Sequence, residues 1–377
     1  MSTIMAGVFD AAPRRMRVAM VAPPWYELPP TGYGGIELIC AALVDALVAR
    51  GHDVTLFGAG RRNGTAAEYV STLPHPQYLR LGEAMPTLLH AARVDRLLAE
   101  GRFDVVHDHS VSGSLNAPQR EMPTVVTVHG PADTELGDFY AALGDSVDLV
   151  AISDAQRRRR PGLPWAATVH NALDPDWFVP AARPNGPVLW LGRFCADKGP
   201  DLAIHACRAA GLPLVLAGKC SEATEMAYLD EHVRPLLGSD VELVRNADRT
   251  MADRLLAQAR CLIMPIRWHE PFGMVMIEAM ASGTPVVALR RGSVPEVVVD
   301  GVTGWIRDEP ADLPSALRRV GELDPVACVA HVRERFGAAL MAQRYEQVYH
   351  QAIARARRRR QWAERVTLLP EPSVVGR

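Results

Sequence analysis

Short β-rich runs alternate with longer amphipathic stretches along almost the whole chain, and this alternation is the pattern of parallel α/β layers. The first unit opens with Arg17-Val-Ala-Met-Val-Ala22. A Pro/Gly loop and a helix-period segment from about Ile36 to Arg50 follow, with Ile36, Ile39, Leu43, Leu47 and Val48 on one face. Gly51 closes that segment, and Val54-Thr-Leu-Phe57 completes a βαβ unit. Further strands are expected at Val105–His107, Val125–Val128, Leu149–Ile152 and Thr168–His170. The pattern stops after Phe178, where residues 179–187 hold three prolines and a glycine, a linker composition. It restarts at Val188–Leu191 and continues through Leu214–Ala217, Val241–Val244, Leu262–Met264 and Val286–Leu289. The reading is therefore two Rossmann-like α/β domains facing across a cleft. Residues 1–15 form a disordered leader, 16–178 the first domain, 188–337 the second, and 338–377 a closing helix with a basic tail that crosses back to the first domain.

A chain of 377 residues suits two cores rather than one. A formal net charge of −2 gives no global pull toward nucleic acid. No apolar run is long enough to span a bilayer. The six cysteines are scattered without metal-ligand or redox spacing, which fits a reduced, cytoplasmic setting. The run Arg355-Ala-Arg-Arg-Arg-Arg360 reads as a solvated helix end, with contact to the inner face of an anionic membrane as the alternative.

The most informative stretch is Trp268-His-Glu-Pro-Phe-Gly-Met-Val-Met-Ile-Glu278, which follows a buried strand. Pro271 stands where a helix can begin, and Phe272, Gly273 and Met274 would offer backbone N–H groups at its positive end. Glu270 precedes the helix and Glu278 lies two turns inside it. Carboxylates there repel phosphate, so hydroxyls of sugar and ribose are their natural partners. A second cluster, Leu191-Gly-Arg-Phe-Cys-Ala-Asp-Lys-Gly199, puts Arg193 and Lys198 on one strand-to-helix loop, able to reach a diphosphate. Two cations and a helix end can neutralise such a group, so no metal is required. Gly34-Gly35 starts a helix and can admit a phosphate or an acceptor, although Gly-x-Gly-x-x-Gly is absent. His129 ends a strand and is either a structural histidine or a sugar contact. His107, Asp108 and His109 form another polar strand end, in which a metal pair lacks a third ligand.

These residues resemble glycosyltransferase family 4, retaining enzymes of the GT-B architecture, from roughly Met16 to Ile353. The most specific element is the pair Glu270 and Glu278 with seven residues between them, continued by AMASGTPVVA and GSVPEVVVDGVTGW. GYGGIE, DVVHDHS, TVHG, LVAISDAQ and VHNALDPDWF precede it in the family's order. The PPTGYGGIE opening is similar to a branch that includes antibiotic-decorating transferases. The resemblance implies that Glu278 binds the donor ribose and Glu270 the transferred sugar. It implies that residues 272–275 hold sugar and phosphate oxygens, and that Arg193 and Lys198 stabilise the leaving diphosphate. His129 would lie near the transferred sugar and Gly34-Gly35 near phosphate or acceptor. The departing phosphate would help to deprotonate the acceptor, with a nucleotide-diphosphate sugar as co-substrate and no resident cofactor.

Ala172 stands where the family often has glycine, and Arg245-Asn-Ala-Asp248 replaces a second glycine beside the expected base pocket. The expected activity is transfer of a hexosyl unit from a UDP- or GDP-linked sugar to an acceptor hydroxyl. The alternatives are a GT-B nucleotide-sugar epimerase and a non-catalytic sugar-nucleotide sensor or scaffold.

Overall fold

The computed structural model describes residues 15–32, 34–61, 64–180 and 186–367. The expected leader to residue 14, most of the expected linker and the tail after Thr367 lie outside the described residues. The first sheet contains β1 (Arg17–Val21), β2 (Asp53–Ala59), β3 (Glu68–Leu73), β4 (Val105–Asp108), β5 (Thr124–Val128), β6 (Asp148–Ala151) and β7 (Trp165–Thr168). Its strand order is β3-β2-β1-β4-β5-β6-β7, with every pair parallel. The second sheet contains β8 (Val188–Leu191), β9 (Leu214–Gly218), β10 (Val241–Arg245), β11 (Cys261–Met264), β12 (Val286–Leu289) and β13 (Gly304–Arg307). Its order is β10-β9-β8-β11-β12-β13, again all parallel.

The central strands β4, β5, β11 and β12 are buried along their full length, as parallel strands covered on both faces must be. Continuous apolar runs therefore locate β11 and β12 in the sequence, and paired valines locate β4 and β5. The edges are less legible. β3 and β13 are not among the expected strands, and each is partly exposed, so its apolar pattern is interrupted. The expected strand at Thr168–His170 lies three residues earlier, at Trp165–Thr168, because pairing to β6 uses Trp165, Ala167 and Thr168. Its two alanines carry no β signal.

The last helix, Ala338–Thr367, returns to the first domain. Met341, Ala342, Tyr345, Val348, Tyr349 and Ala352 recur at helical spacing and enter the same core as Val18, Leu43 and Leu47. Where the chain recrosses, Leu173 N–H donates to Phe336 O at 3.1 Å and Ala338 N–H donates to Leu173 O at 2.9 Å.

An ion-pair cluster fastens this helix. Glu346 accepts from Arg50 Nε and Nη2, both at 2.6 Å, and bonds His52 Nε2 at 2.7 Å. Met16 N–H donates to His52 Nδ1 at 3.2 Å, so Nε2 carries the proton given to Glu346. Burial opposes ionisation of Glu346, but the hydrogen bonds from Arg50 and His52 prevail and hold its carboxyl below the ordinary range. The folded state therefore binds this proton less tightly than the unfolded chain. The stabilisation is present above an unfolded carboxyl value of about 4.3 and is lost as pH falls through the lower folded value. Glu346→Ala is expected to cost about 3 kcal/mol at neutral pH, the low end for a broken buried pair because Arg50 keeps some solvent contact. Urea unfolding of both proteins at pH 7 and pH 3 checks this, and the deficit should shrink at the lower pH.

Candidate active site in the interdomain cleft

The loop that leaves β11 carries Glu270 into the cleft with only 7% of its surface exposed. Gly292 makes this packing possible. Its φ is +55°, and a Cβ there would stand 2.2 Å from Glu270 O. Ser293 N–H donates to Glu270 O at 3.0 Å, which fixes the loop from behind. Glu270 Oε2 accepts one hydrogen bond from the Lys198 ammonium and a second, at 3.1 Å, from Trp268 Nε1. The ammonium also lies 4.8 Å from the centre of the Trp268 ring.

Lys198 reaches this position from the turn after β8. Gly199, with φ +63°, starts the Pro200–Ala210 helix, and a Cβ there would meet Pro265 O at 2.3 Å. Two loops far apart in sequence are thus pressed together at one cation and one carboxylate. Arg193 occupies the same turn, half-buried five residues before Lys198.

The helix expected from Pro271 begins at Met274, with Gly273 at its N-cap and φ +81°. The reason is Phe272. Its ring is buried 5.8 Å from that of Phe336, and its carbonyl accepts from Ser293 Oγ at 2.7 Å, so the chain can turn only afterwards. Met274 and Val275 then lie in the first helical turn, with unbonded N–H groups typical of that position. From the other domain, Gly34 caps the Gly35–Ala49 helix, and a Cβ on Gly35 would lie 4.0 Å from Met274 Cγ. Two helix N-termini therefore converge on one spot, and their dipoles favour an anion there.

Glu278 does not share the environment of Glu270. It faces Arg249, with Nη1 and Oε1 3.4 Å apart. Burial pushes the Glu278 carboxyl up, and Arg249 opposes that rise. Arg249 also pairs with Asp253 at 2.8 Å, covers the Phe178 ring at 5.0 Å, and donates its N–H to Thr31 O at 3.4 Å across the cleft. Sequence reasoning missed Arg249. The only local signal is Asp248, which caps this helix by accepting from Met251 N–H at 2.8 Å. Asn246 adopts φ +53°, so the residue standing in for the family's glycine takes a left-handed conformation that asparagine tolerates.

In the first domain, His129 follows β5 and is bonded through Nε2 to His109 Nδ1 at 2.9 Å. Gln156 Nε2 donates to Val128 O and Gly130 O, both at 2.7 Å, bracketing His129. The next residues, Pro131 to Asp133, face Glu270 across a cavity of about 270 Å³ that Gln156, Arg158, Arg159 and His269 also line. His129 itself is not in the cavity wall.

Glu296 bridges the domains beside this cavity. It accepts from Asp154 N–H at 2.8 Å and Ala155 N–H at 2.6 Å, and it contacts Arg158 at 3.2 Å and His170 Nε2 at 3.1 Å. The basic run lies elsewhere. Arg355 and Arg359 pair with Asp148 and Asp145 at the amino end of β6, opposite the strand ends that form the cleft. No helix among the described residues is long and apolar enough to cross a membrane.

Residues 33–196 match the model described as Glycosyltransferase Family 4, and residues 183–326 match Glycosyl transferases group 1. The chain is 31% identical to the alpha-maltose-1-phosphate synthase of Mycobacterium tuberculosis (strain ATCC 25618 / H37Rv), over 79% of this chain and 86% of that protein. It belongs to glycosyltransferase family 4. This glycosyltransferase is also 26% identical to the phosphatidyl-myo-inositol mannosyltransferase of Mycobacterium leprae (strain TN), covering 89% of this chain and 96% of the relative. Among solved structures it resembles AviGT4, a glycosyltransferase involved in avilamycin A biosynthesis, with TM-score 0.71 and 25% identity over 90% and 98% of the two chains. Its two parallel sheets are the two Rossmann-like domains of the GT-B architecture.

Proposed function

We propose that this glycosyltransferase moves a hexosyl unit from a UDP- or GDP-linked sugar to an acceptor hydroxyl with retention of configuration. The observation that carries the reading is the Lys198–Glu270 pair beside two converging helix N-termini. A diphosphate placed there meets cations and helix dipoles, while a sugar placed beside it meets a carboxylate. In this reading Lys198 and Arg193 bind the diphosphate, and Lys198 exchanges Glu270 for it as the donor enters. Glu270 then accepts from sugar hydroxyls and Glu278 from ribose hydroxyls, while the backbone from Phe272 to Val275 holds the remaining oxygens. His129 and Gly34-Gly35 complete the sugar and phosphate surroundings. The leaving group is neutralised by side chains and helix ends, without a metal. The departing phosphate takes up the acceptor proton.

The cavity beside Glu270 is the place for the acceptor, with Asp133, Gln156 and Arg158 as its polar wall. The named relatives make a mannoside and a maltose phosphate, which supports a hexosyl group. The run Arg355–Arg360 sits away from the cleft with two of its arginines already paired, which favours a solvated helix end over a membrane anchor.

The test is thermal stability and donor hydrolysis with UDP-glucose and GDP-mannose, without added metal. At a hundred times its dissociation constant a donor adds about 2.7 kcal/mol. Glu278→Ala is expected to remove most of that shift for the preferred donor. A full shift retained in Glu278→Ala would remove the ribose assignment, and no shift with any nucleotide sugar would remove the donor site.

A further inference from the structure

His107 and His109 alternate with Asp108 along the end of β4, so both project to one face. His107 is fully committed. Its Nδ1 bonds Tyr349 OH at 2.7 Å, its Nε2 bonds Thr127 Oγ1 at 2.8 Å, and Thr127 shares a further 2.7 Å bond with Tyr345 OH. The helix that returns from the second domain thereby holds the ends of β4 and β5 together. His109 lies against this anchor, its ring centre 4.1 Å from that of His107. On its other side it stacks with His129, the centres 5.2 Å apart and the planes 25° from parallel. His109 is 4% exposed, and its Nε2 has no hydrogen-bond partner.

Burial keeps these rings neutral. It pushes His109 well below the usual histidine value, helped by its histidine neighbours, and lowers His129 to about 3. Between two neutral imidazoles the 2.9 Å contact contains one proton, so one ring donates and the other accepts. A ring free to exchange tautomers would present either a donor or an acceptor at Nδ1. Because His109 Nε2 is buried without a partner, a bare nitrogen there costs less than an orphaned N–H, so His109 carries its proton on Nδ1, donates it to His129 Nε2 and leaves His129 protonated at Nδ1.

We propose that His109 is a positioning residue for His129: its bond to Nε2 fixes the plane and the tautomer of His129, and so the polarity of the group His129 offers to the donor sugar. Gln156 fixes the backbone on both sides of His129, and His109 fixes its side chain. The catalytic part of this inference rests on reading the cleft as the donor site, whereas the tautomer part rests on the histidine geometry alone.

The experiment uses full-length wild-type protein, His109→Asn and His109→Leu, with two readouts. The first is ¹⁵N NMR of the His129 ring, which distinguishes the tautomers. The second is hydrolysis of UDP-glucose and GDP-mannose without acceptor. Wild type should show one His129 tautomer. His109→Asn can place its amide N–H where Nδ1–H stood, and with that donor it should keep the tautomer and most of the turnover. His109→Leu should give a tautomer mixture and a kcat about a hundredfold lower, with KM little changed, as expected for a misplaced group. A tautomer mixture in the wild type would overturn the proposal before any variant is compared. So would wild-type kcat in His109→Leu, or kcat and KM changing together with a lower melting temperature, which would mark His109 as a core residue only. If wild type hydrolyses no donor, the donor-site reading fails while the tautomer result still decides the His109–His129 coupling.

Discussion

Lys198→Ala is expected to lower kcat for donor turnover by about 10²- to 10³-fold, the range seen when one preorganised donor to a developing negative charge is removed. The ammonium is held by Glu270 and by the face of Trp268, and its loop is locked through Gly199 against Pro265. It is therefore in place before any ligand arrives, and little reorganisation is needed as charge builds on the leaving diphosphate. Its removal has a second consequence. Glu270, only 7% exposed, is left with the Trp268 N–H as its side-chain donor among the described residues, and a buried carboxylate stripped of its cation is costly. The damage should fall mainly on kcat, because the interaction strengthens as the sugar–phosphate bond breaks. Lys198→Arg should rescue only weakly, since the wide, planar fork of a guanidinium does not reproduce the compact point charge of an ammonium. Steady-state release of nucleoside diphosphate from wild type and both variants checks this. A loss under fivefold for Lys198→Ala would place the leaving-group cation elsewhere.

Lys198 and Glu270 were legible because each belongs to a local signal: a strand end, a glycine, and a charge embedded among apolar residues. Central strands were legible for a similar reason, since burial on both faces leaves an unbroken apolar run such as Val286–Leu289. What sequence did not reveal is relational. Nothing local distinguishes Arg249 from other helix-start arginines, yet the fold sets it between Glu278, Asp253 and the Phe178 ring. His107 and His109 have the spacing of a metal pair but no third ligand in the sequence, and their actual partners could not be read from it. The structure gives His107 to Tyr349 and Thr127, and His109 to His129, partners between 20 and 242 residues away along the chain. The helix start after Glu270 was misplaced by three residues because Pro271 is a sound local signal, and the burial of Phe272, a tertiary event, overrides it. Glu296, which ties the two domains, sits in a stretch recognised only as a family motif, and its four donors all come from the other domain.

Glu37→Gln is expected to stabilise the protein at alkaline pH by about 2 kcal/mol and to leave it nearly unchanged near pH 4.5. Glu37 lies in the first turn of the Gly35–Ala49 helix, only 3% exposed, and its Oε1 has no partner. Burial raises its carboxyl to about 7, with backbone hydrogen bonds from Glu37 itself and from Tyr26 opposing the rise. The folded state therefore binds this proton more tightly than the unfolded chain. The associated stability is complete below about 4.3 and is lost as pH rises through about 7. The whole rise corresponds to roughly 3 kcal/mol, and a buried amide that lacks one partner returns about 1 kcal/mol of that. Urea midpoints at pH 4.5 and 8.5 test the sign, which reverses if Glu37 is ionised at every pH. The same proton bears on the cleft. A Cβ on Gly34 would stand 3.3 Å from Glu37 Oε2, so the carboxyl lies directly behind the helix start that faces Met274. Ionised, it opposes an incoming diphosphate; protonated, it leaves the helix dipole uncompensated and the anion welcome. Donor affinity in the wild type should accordingly weaken between pH 6 and 8.5, and in Glu37→Gln that part of the pH dependence should vanish.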